Sequence, residues 1–370
     1  MKNVCLDIRY LNAKPTGVGR YIKNMTEHLL RMPSPQLRYF LLGCPENFKN
    51  INADPNVYTP LLSPYPPEKH PQADWWFNTG FLSLLQKQGV DLFHSTAISV
   101  PLRKPPFKYL CTIHDLVGFY FPDSIPIPFR WFLNIQLRLA LRHSEALICM
   151  SHSTKNQLEQ TFLRAPPINV IPLACPEPRL KPSVGDSGFP FSYILYVGNI
   201  EPRKGVLDLM RGFERYRIQN PDAKEKLVLC GQTLWNYEEP QRLAENSPFK
   251  DSIVFTGYVT ENELERYYLW SHLTVIPSHY EGFGIPVLEA MRAKAPILVN
   301  DISVLTEIGG SDVYPVKIYN PDALAAKIRD LLCSKEKHEL REIRYTERLK
   351  RYTWFRCAQS TKDLYEQILF

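Results

Sequence analysis

Two glutamates frame a glycine loop in the run VIPSHYEGFGIPVLEAMRAKAPIL, residues 275–298. Glu281 and Glu289 stand seven residues apart, and Gly282, Phe283 and Gly284 follow directly on the first. The apolar stretch before them, 273–277, reads as a buried parallel strand. Pro286 comes after the loop, where a helix can begin without losing a useful N–H. Strand, glycine loop and helix N-terminus together form an anion site, because free N–H groups and the positive end of the helix dipole point outward together. Carboxylates beside such a site suit the hydroxyls of a sugar. A plainer reading stands next to this one: Glu289 as a helix-capping glutamate, Glu281 as a surface loop residue.

Three more loops carry chemistry where open α/β sheets bind ligands, at the carboxyl ends of strands. Glu201-Pro202-Arg203-Lys204-Gly205 sets a guanidinium fork and an ammonium side by side before a helix, so both can reach one anion. The alternative is a solvated pair of surface charges. Gly17-x-Gly19-Arg20 lets backbone approach a ligand, or is a simple strand-to-helix turn. His114-Asp115 follows a buried strand and reads as a catalytic or a structural histidine. The chain has no Asp-x-Asp and no His/Cys/Asp cluster at metal spacing, so phosphate chemistry falls to protein cations and helix ends. The Walker pattern and G-x-S-x-G are both absent, which argues against a P-loop ATPase and against a serine-elbow hydrolase.

The elements that position these loops alternate. Strands are expected at 4–11, 37–43, 90–94, 109–113, 146–150 and 169–172 in the first half. The second half restarts at 193–197 and continues at 227–230, 253–255, 273–277 and 297–300. Helices are expected at 21–31, 206–218, 261–270 and 353–369, and Ser151 caps the helix after 146–150. Strand–helix alternation means a parallel α/β sheet in each half. Residues 60–79 and 118–128 are rich in proline and aromatics and read as loop or short-helix excursions. Residues 129–143 (FRWFLNIQLRLALRH) alternate like a strand from 135 to 141, but length and composition favour a helix. Arg130, Asn134, Arg138 and Arg142 fall on one polar stripe of it. It is then a mostly buried helix with one solvated row, or a helix that touches an anionic membrane.

A chain of 370 residues suits two domains. Its net charge of +6 fits phosphorylated substrates or an anionic membrane surface and is too weak for nucleic acid. Eight scattered cysteines without a C-x-x-C read as buried reduced thiols. Asp7 and Arg9 interrupt any secretory leader, and no run of 18 apolar residues could span a membrane. A cytoplasmic location follows, with the inner face of the membrane as a peripheral site.

Taken together, the residues resemble family-4 glycosyltransferases of the GT-B fold. The resemblance covers nearly the whole chain and is strongest from 193 to 309. Glu281, seven residues and Glu289, inside EGFGIPVLEAM, are similar to that family's paired-glutamate signature. YVGNIEPRKG resembles its donor-diphosphate loop, and FTGYVTENELERYY the segment reaching the nucleotide base. TGVGRY, DLFHST and TIHDL resemble first-domain positions. The resemblance implies two Rossmann-like domains facing across a cleft. An acceptor domain would span 1–178, a linker 179–191 and a donor domain 192–352, with a helix at 353–370 packing back on the first domain. It implies that Glu289 binds the ribose hydroxyls and Glu281 the transferred sugar. The backbone of Gly282, Phe283 and Gly284 would lie on the diphosphate, and Arg203 and Lys204 would neutralise it as it leaves. Gly198 would border the diphosphate, Gly257 and Tyr258 the base, Gly17 and Gly19 would close on the donor, and His114 would sit near the reacting carbon. The implied activity is metal-independent, retaining transfer of a hexose from a nucleotide-diphosphate sugar to a glycan or polyprenyl-linked glycan. Bacterial mannosyltransferases of polysaccharide synthesis are the nearest in feel, which favours GDP-mannose. Two alternatives share the fold: a sugar-nucleotide 2-epimerase, and a non-catalytic nucleotide or glycan binder. Val304-Leu305-Thr306 lacks the proline that many members carry before the glutamate, and Gly198-Asn199 replaces a common Gly-Arg.

Overall fold

The computed structural model describes residues 1–11, 17–32, 34–69, 71–176, 189–232, 238–334 and 338–370. It divides into two compact units. The first comprises Met1–Phe119, Pro126–Leu173 and Tyr352–Phe370; the second comprises Tyr120–Ile125 and Ala174–Arg351. The expected linker at 179–191 lies mostly outside the described residues, as do 12–16 of the first glycine loop.

The first unit is built on seven parallel strands: β1 (Lys2–Asp7), β2 (Leu37–Gly43), β3 (Tyr58–Leu62), β4 (Leu92–Ser95), β5 (Lys108–Ile113), β6 (Ala146–Cys149) and β7 (Ile168–Val170). Their order is β3-β2-β1-β4-β5-β6-β7. Runs such as Val4-Cys5-Leu6 and Leu147-Ile148-Cys149 are wholly buried, as strands covered on both faces must be. The order reverses between β1 and β4, which pair Val4 with Leu92 and Leu6 with His94. The C-terminal helix, Trp354–Leu369, belongs to this unit and packs on the helix Gly17–Leu30.

Two expectations for this unit need correction. Residues 60–79 are not an irregular excursion: they contribute β3 and the start of a helix, Gln72–Lys87. Pro60 lies opposite Leu41 in the outermost strand, the place where a missing donor is tolerated. The helix buries Ala73, Phe77, Phe81 and Leu85 at steps of four, a period that the prolines ahead of it obscured. The second correction concerns Ile127–His143. It is a helix, but only Leu137, Ala140 and His143 are buried. Ile127, Phe129, Trp131 and Ile135 are exposed beside Arg138 and Arg142, so the apolar residues face outward as well as in. The stretch ahead of it, 118–128, is likewise more ordered than expected. It holds the end of a helical turn, Val117–Tyr120, a short 3-10 turn, Pro122–Ser124, and the start of that helix.

The second unit has six parallel strands: β8 (Tyr193–Val197), β9 (Lys226–Cys230), β10 (Ile253–Gly257), β11 (Leu273–Ile276), β12 (Ile297–Asn300) and β13 (Tyr314–Val316). Their order, β10-β9-β8-β11-β12-β13, reverses between β8 and β11. Those two strands pair Ile194 with Leu273 and Leu195 with Thr274. Ile194, Leu209, Met210, Phe213, Leu229 and Leu298 form part of one core beneath them. In such a sheet the helices after the two central strands leave to opposite faces, and a crevice opens at their carboxyl ends. The loops after β8 and β11 are the two that carry the paired cations and the paired glutamates. All eight cysteines are free; Cys333 alone is exposed and Cys175 half-buried, the other six buried. No helix among the described residues is long and apolar enough to cross a membrane.

Candidate active site

After β8 the chain runs through a short 3-10 turn, Pro202–Lys204, and enters the helix Val206–Gln219 by way of Gly205. Gly205 has φ +66°, and a Cβ there would stand 2.0 Å from the Pro277 carbonyl oxygen. Only glycine lets this loop press against the strand end that begins the glutamate loop. The two loops are tied further by the His279 amide donating to the Arg203 carbonyl at 2.8 Å.

That contact places Arg203 and Lys204 on Glu281. The Lys204 ammonium donates to Glu281 Oε1 at 2.6 Å, and the Ser278 hydroxyl donates to the same oxygen at 2.8 Å. Arg203 lies 3.9 Å from Glu281 Oε2 and 2.8 Å from Glu201 Oε1. The closer approach has the distance of an ion pair without the alignment of a hydrogen bond, so charge alone holds it. Side-chain exposure is 14% for Lys204, 10% for Glu281 and 20% for Arg203, which rules out a solvated surface pair. Burial pushes the Glu281 carboxyl up, but Lys204 and then Arg203 outweigh it and hold it below the ordinary glutamate value. Glu201 and Ser278 were not singled out in the sequence; their role appears only once the two loops meet.

Gly284, at φ +99°, precedes the helix Ile285–Arg292, and Gly282 and Phe283 are buried beside it. Glu289 lies inside this helix and is 6% exposed. It does not cap the helix: its Oε2 accepts from the Tyr268 hydroxyl at 2.9 Å. Tyr268 lies in the last turn of its own helix, Glu261–Leu269, 21 residues upstream, and no local pattern announces the pairing. Beyond β9 and β10 lies a pocket of about 620 Å³, lined by Gln232, Gln241, Thr256, Gly257 and Tyr258 among others. Gly198, at φ +151°, borders the same strand end, its amide donating to the Cys230 carbonyl.

Aromatics from the short segment Tyr120–Ile125 also reach this loop. Tyr120 stacks on Tyr280 at 6.0 Å, and Phe121 lies over Tyr280 and His279 at 5.8 and 6.2 Å. These rings brace the residues just before Glu281.

The remaining candidates sit in the first unit. Gly17 opens its helix with no strained φ, and a Cβ there would meet nothing within 4 Å. Gly19 is buried two residues on. His114 stands just past the end of β5, half-buried. Its Nε2 lies 2.8 Å from the Thr96 carbonyl, which can only accept, so Nε2 carries the proton and Nδ1 a lone pair. Burial lowers its pKa, outweighing the Thr96 carbonyl and Asp115, and keeps the ring neutral. The structure therefore brings Arg203, Lys204 and Glu281 into one charge cluster, sets Glu289 on Tyr268 and Gly257 and Tyr258 on a pocket, and holds His114, Gly17 and Gly19 within the first unit. Among the described residues no group of three or more His, Cys, Asp or Glu could hold a metal ion.

Two family models match the chain: Glycosyltransferase Family 4 over residues 15–175 and Glycosyl transferases group 1 over residues 190–348. The O-antigen chain mannosyltransferase B of Escherichia coli is 25% identical over 285 residues, 74% of this chain and 74% of that protein. The O-antigen chain mannosyltransferase RfbU of Salmonella typhimurium is 28% identical over 205 residues, a match that spans 53% of each chain. Anabaena Alr3699/HepE, solved in complex with UDP-glucose, has the same fold, with a TM-score of 0.74 at 15% identity, covering 99% of this chain and 100% of that one.

Proposed function

The chain belongs to family 4 of the group 1 glycosyltransferases, and on that premise we propose that it transfers a hexose, mannose first among candidates, from a nucleoside-diphosphate sugar to a glycan or polyprenyl-linked glycan. The observation that carries the reading is the cluster of Arg203, Lys204 and Glu281 at the carboxyl ends of β8 and β11. Breaking a glycosyl–phosphate bond puts positive charge on the sugar and negative charge on the departing diphosphate. Fixed cations and the helix end after Gly284 stabilise the second, and the Glu281 carboxylate the first. The acceptor hydroxyl attacks on the face the diphosphate leaves and gives its proton to a diphosphate oxygen, which yields retention without a carboxylate base. The donor nucleoside would place its base in the Gly257–Tyr258 pocket and its ribose on Glu289. Mannose is favoured by the names of the relatives, and a nucleotide sugar by the UDP-glucose held in the Anabaena protein.

A donor screen tests this. GDP-mannose, UDP-glucose and related donors are incubated with polyprenyl-diphosphate glycans, with EDTA present or absent. Nucleoside diphosphate is measured, and the product's anomeric configuration is read by NMR. The expected result is acceptor-stimulated release that survives EDTA and gives a retained linkage. Full dependence on divalent metal would count against the mechanism, and acceptor-free isomerisation of the donor against the transferase reading.

Lipid-linked acceptors imply a membrane-facing surface, and the helix Ile127–His143 has the right composition. Ile127, Trp131, Ile135, Arg138 and Arg142 recur at steps of three and four and are all exposed, aromatic and aliphatic at one end, cationic at the other. Attraction to anionic lipid is worth about 1 kcal/mol per arginine. Reversing Arg130, Arg138 and Arg142 to glutamate is expected to abolish flotation with anionic liposomes while leaving turnover on a soluble acceptor. Equal flotation would sink the proposal.

A further inference from the structure

We propose that the C-terminal helix positions the first unit's histidine: Tyr365, acting through His94, Thr112 and Tyr21, fixes the His114 imidazole with its Nδ1 presented to substrate. This rests on the reading of His114 as a group that meets the reacting sugar.

The links are all on one face of one sheet. Thr112 and His114 are two residues apart along β5 and its extension, so their side chains leave on the same side. On that side lie the helix Gly17–Leu30, which carries Tyr21, and the C-terminal helix, which carries Tyr365. The Tyr365 hydroxyl lies 2.6 Å from His94 Nδ1. His94 Nε2 lies 2.8 Å from Thr112 Oγ1. Thr112 Oγ1 lies 3.2 Å from the Tyr21 hydroxyl. The edge of the Tyr21 ring meets His114, centroids 5.1 Å apart and planes at 78°. The far side of His114 is held by the Thr96 carbonyl, and Thr96 in turn donates its hydroxyl to the Asp7 carbonyl at the end of β1. His114 is thus clamped between β4's end and a chain of four side chains.

None of those four is more than 1% exposed. Polar groups at such depth cost free energy unless each is satisfied, and leucine or phenylalanine would fill the space as well. What a hydrogen-bonded chain adds is orientation. With His94 neutral, one of its nitrogens donates and the other accepts, so the hydroxyls on either side must take complementary roles. Burial holds it neutral, with a pKa pushed down to about 3. The consequence is that a hydroxyl on the last helix of the chain sets the rotor of Thr112, the place of the Tyr21 ring and thereby the plane of His114.

Tyr39→Phe is the control. It removes a buried hydroxyl of the same unit that has no hydrogen-bond partner among the described residues. Tyr365→Phe and Tyr21→Phe each remove one hydroxyl and no volume, and the full-length chain is used throughout. Two readouts are taken: GDP release from GDP-mannose with UDP release from UDP-glucose as second probe, and ring resonances of ¹³C,¹⁵N-labelled histidine. In Tyr365→Phe, kcat is expected to fall about tenfold with the donor KM unchanged, since a small misplacement of a reacting group is costly. The His114 ring resonances should shift although the substituted atom is three side chains away. The double variant should be no worse than either single one, because both cut the same chain. Should Tyr365→Phe fail to fold, Thr112→Val cuts the chain at its centre and carries the same expectations. Unmoved His114 resonances, kcat equal to that of Tyr39→Phe, or additive losses in the double variant would each overturn the inference; the resonance arm needs no donor. Full turnover by His114→Ala would instead remove the role on which the inference rests, and is read separately.

Discussion

Lys204→Ala is expected to lower kcat by on the order of 10²-fold or more, the usual loss when one preorganised charge is taken from a developing anion. Lys204 does two things at once, and the test must separate them. Its ammonium would meet the diphosphate as charge grows, and it already neutralises a carboxylate that is 10% exposed. Removing it leaves Glu281 with Arg203 at 3.9 Å and a hydroxyl at 2.8 Å. Breaking one side of a buried pair costs roughly 3–5 kcal/mol, so the melting temperature falls as well. The double variant Lys204→Ala/Glu281→Gln removes the orphaned charge. It is expected to regain the lost melting temperature while kcat stays well below that of Glu281→Gln alone, which itself removes a group placed on the sugar. A kcat equal to that of Glu281→Gln would mean that the lysine is structural only.

The same pair sets an acid limb. Glu281 has a folded-state pKa below its unfolded one, because the cations outweigh burial. A group of that kind contributes stability above its unfolded pKa, and the contribution is lost as pH falls through the folded one. Without Lys204 that pKa rises, so the loss should begin at a higher pH in Lys204→Ala than in the parent chain. Thermal melts across the acid range measure it, and an unmoved limb would show that Arg203 alone suffices.

Glu289→Gln should act on binding rather than on the chemical step. A carboxylate accepting from a ribose hydroxyl is worth about 1.5–3 kcal/mol, which predicts a donor KM raised roughly 10- to 100-fold and a kcat little changed. Tyr268→Phe, which leaves the carboxylate in place but removes the hydroxyl that donates to its Oε2, should show the same trend more weakly. A donor lacking the ribose hydroxyls supplies the cycle. It should bind the parent chain poorly and discriminate no further against Glu289→Gln. Equal discrimination by both chains would place Glu289 away from the ribose.

Much of the fold was legible because its signals were local. Leu273–Ile276 is a short β-branched and apolar run broken only by Thr274, the glycines behind it break the strand, and Pro286 admits a helix. Ser151 caps its helix as expected, accepting from the Thr154 amide. What was missed lay in stretches where two local signals competed. The prolines of 60–71 hid both an edge strand and the buried row Ala73, Phe77, Phe81 and Leu85. In Ile127–His143 the helix was evident but its burial was not, since nothing in a run of apolar residues says which of them a neighbour covers. The site divides the same way. Glu281, Glu289, Arg203 and Lys204 stand out by type and spacing. Their partners Glu201, Ser278 and Tyr268 do not, because only the adjacency of β8 and β11 and the packing of distant helices decide which polar group meets which.

The C-terminal helix has a further consequence for the order in which the molecule becomes itself. The sheet β1–β7 is synthesised by residue 170, but the segment that completes its unit, Tyr352–Phe370, is made much later. Every residue of the second unit precedes that segment. The unit begun first is therefore finished last. Until then the nascent chain carries an uncovered helix, Gly17–Leu30, and a His94 whose Nδ1 has no tyrosine to meet.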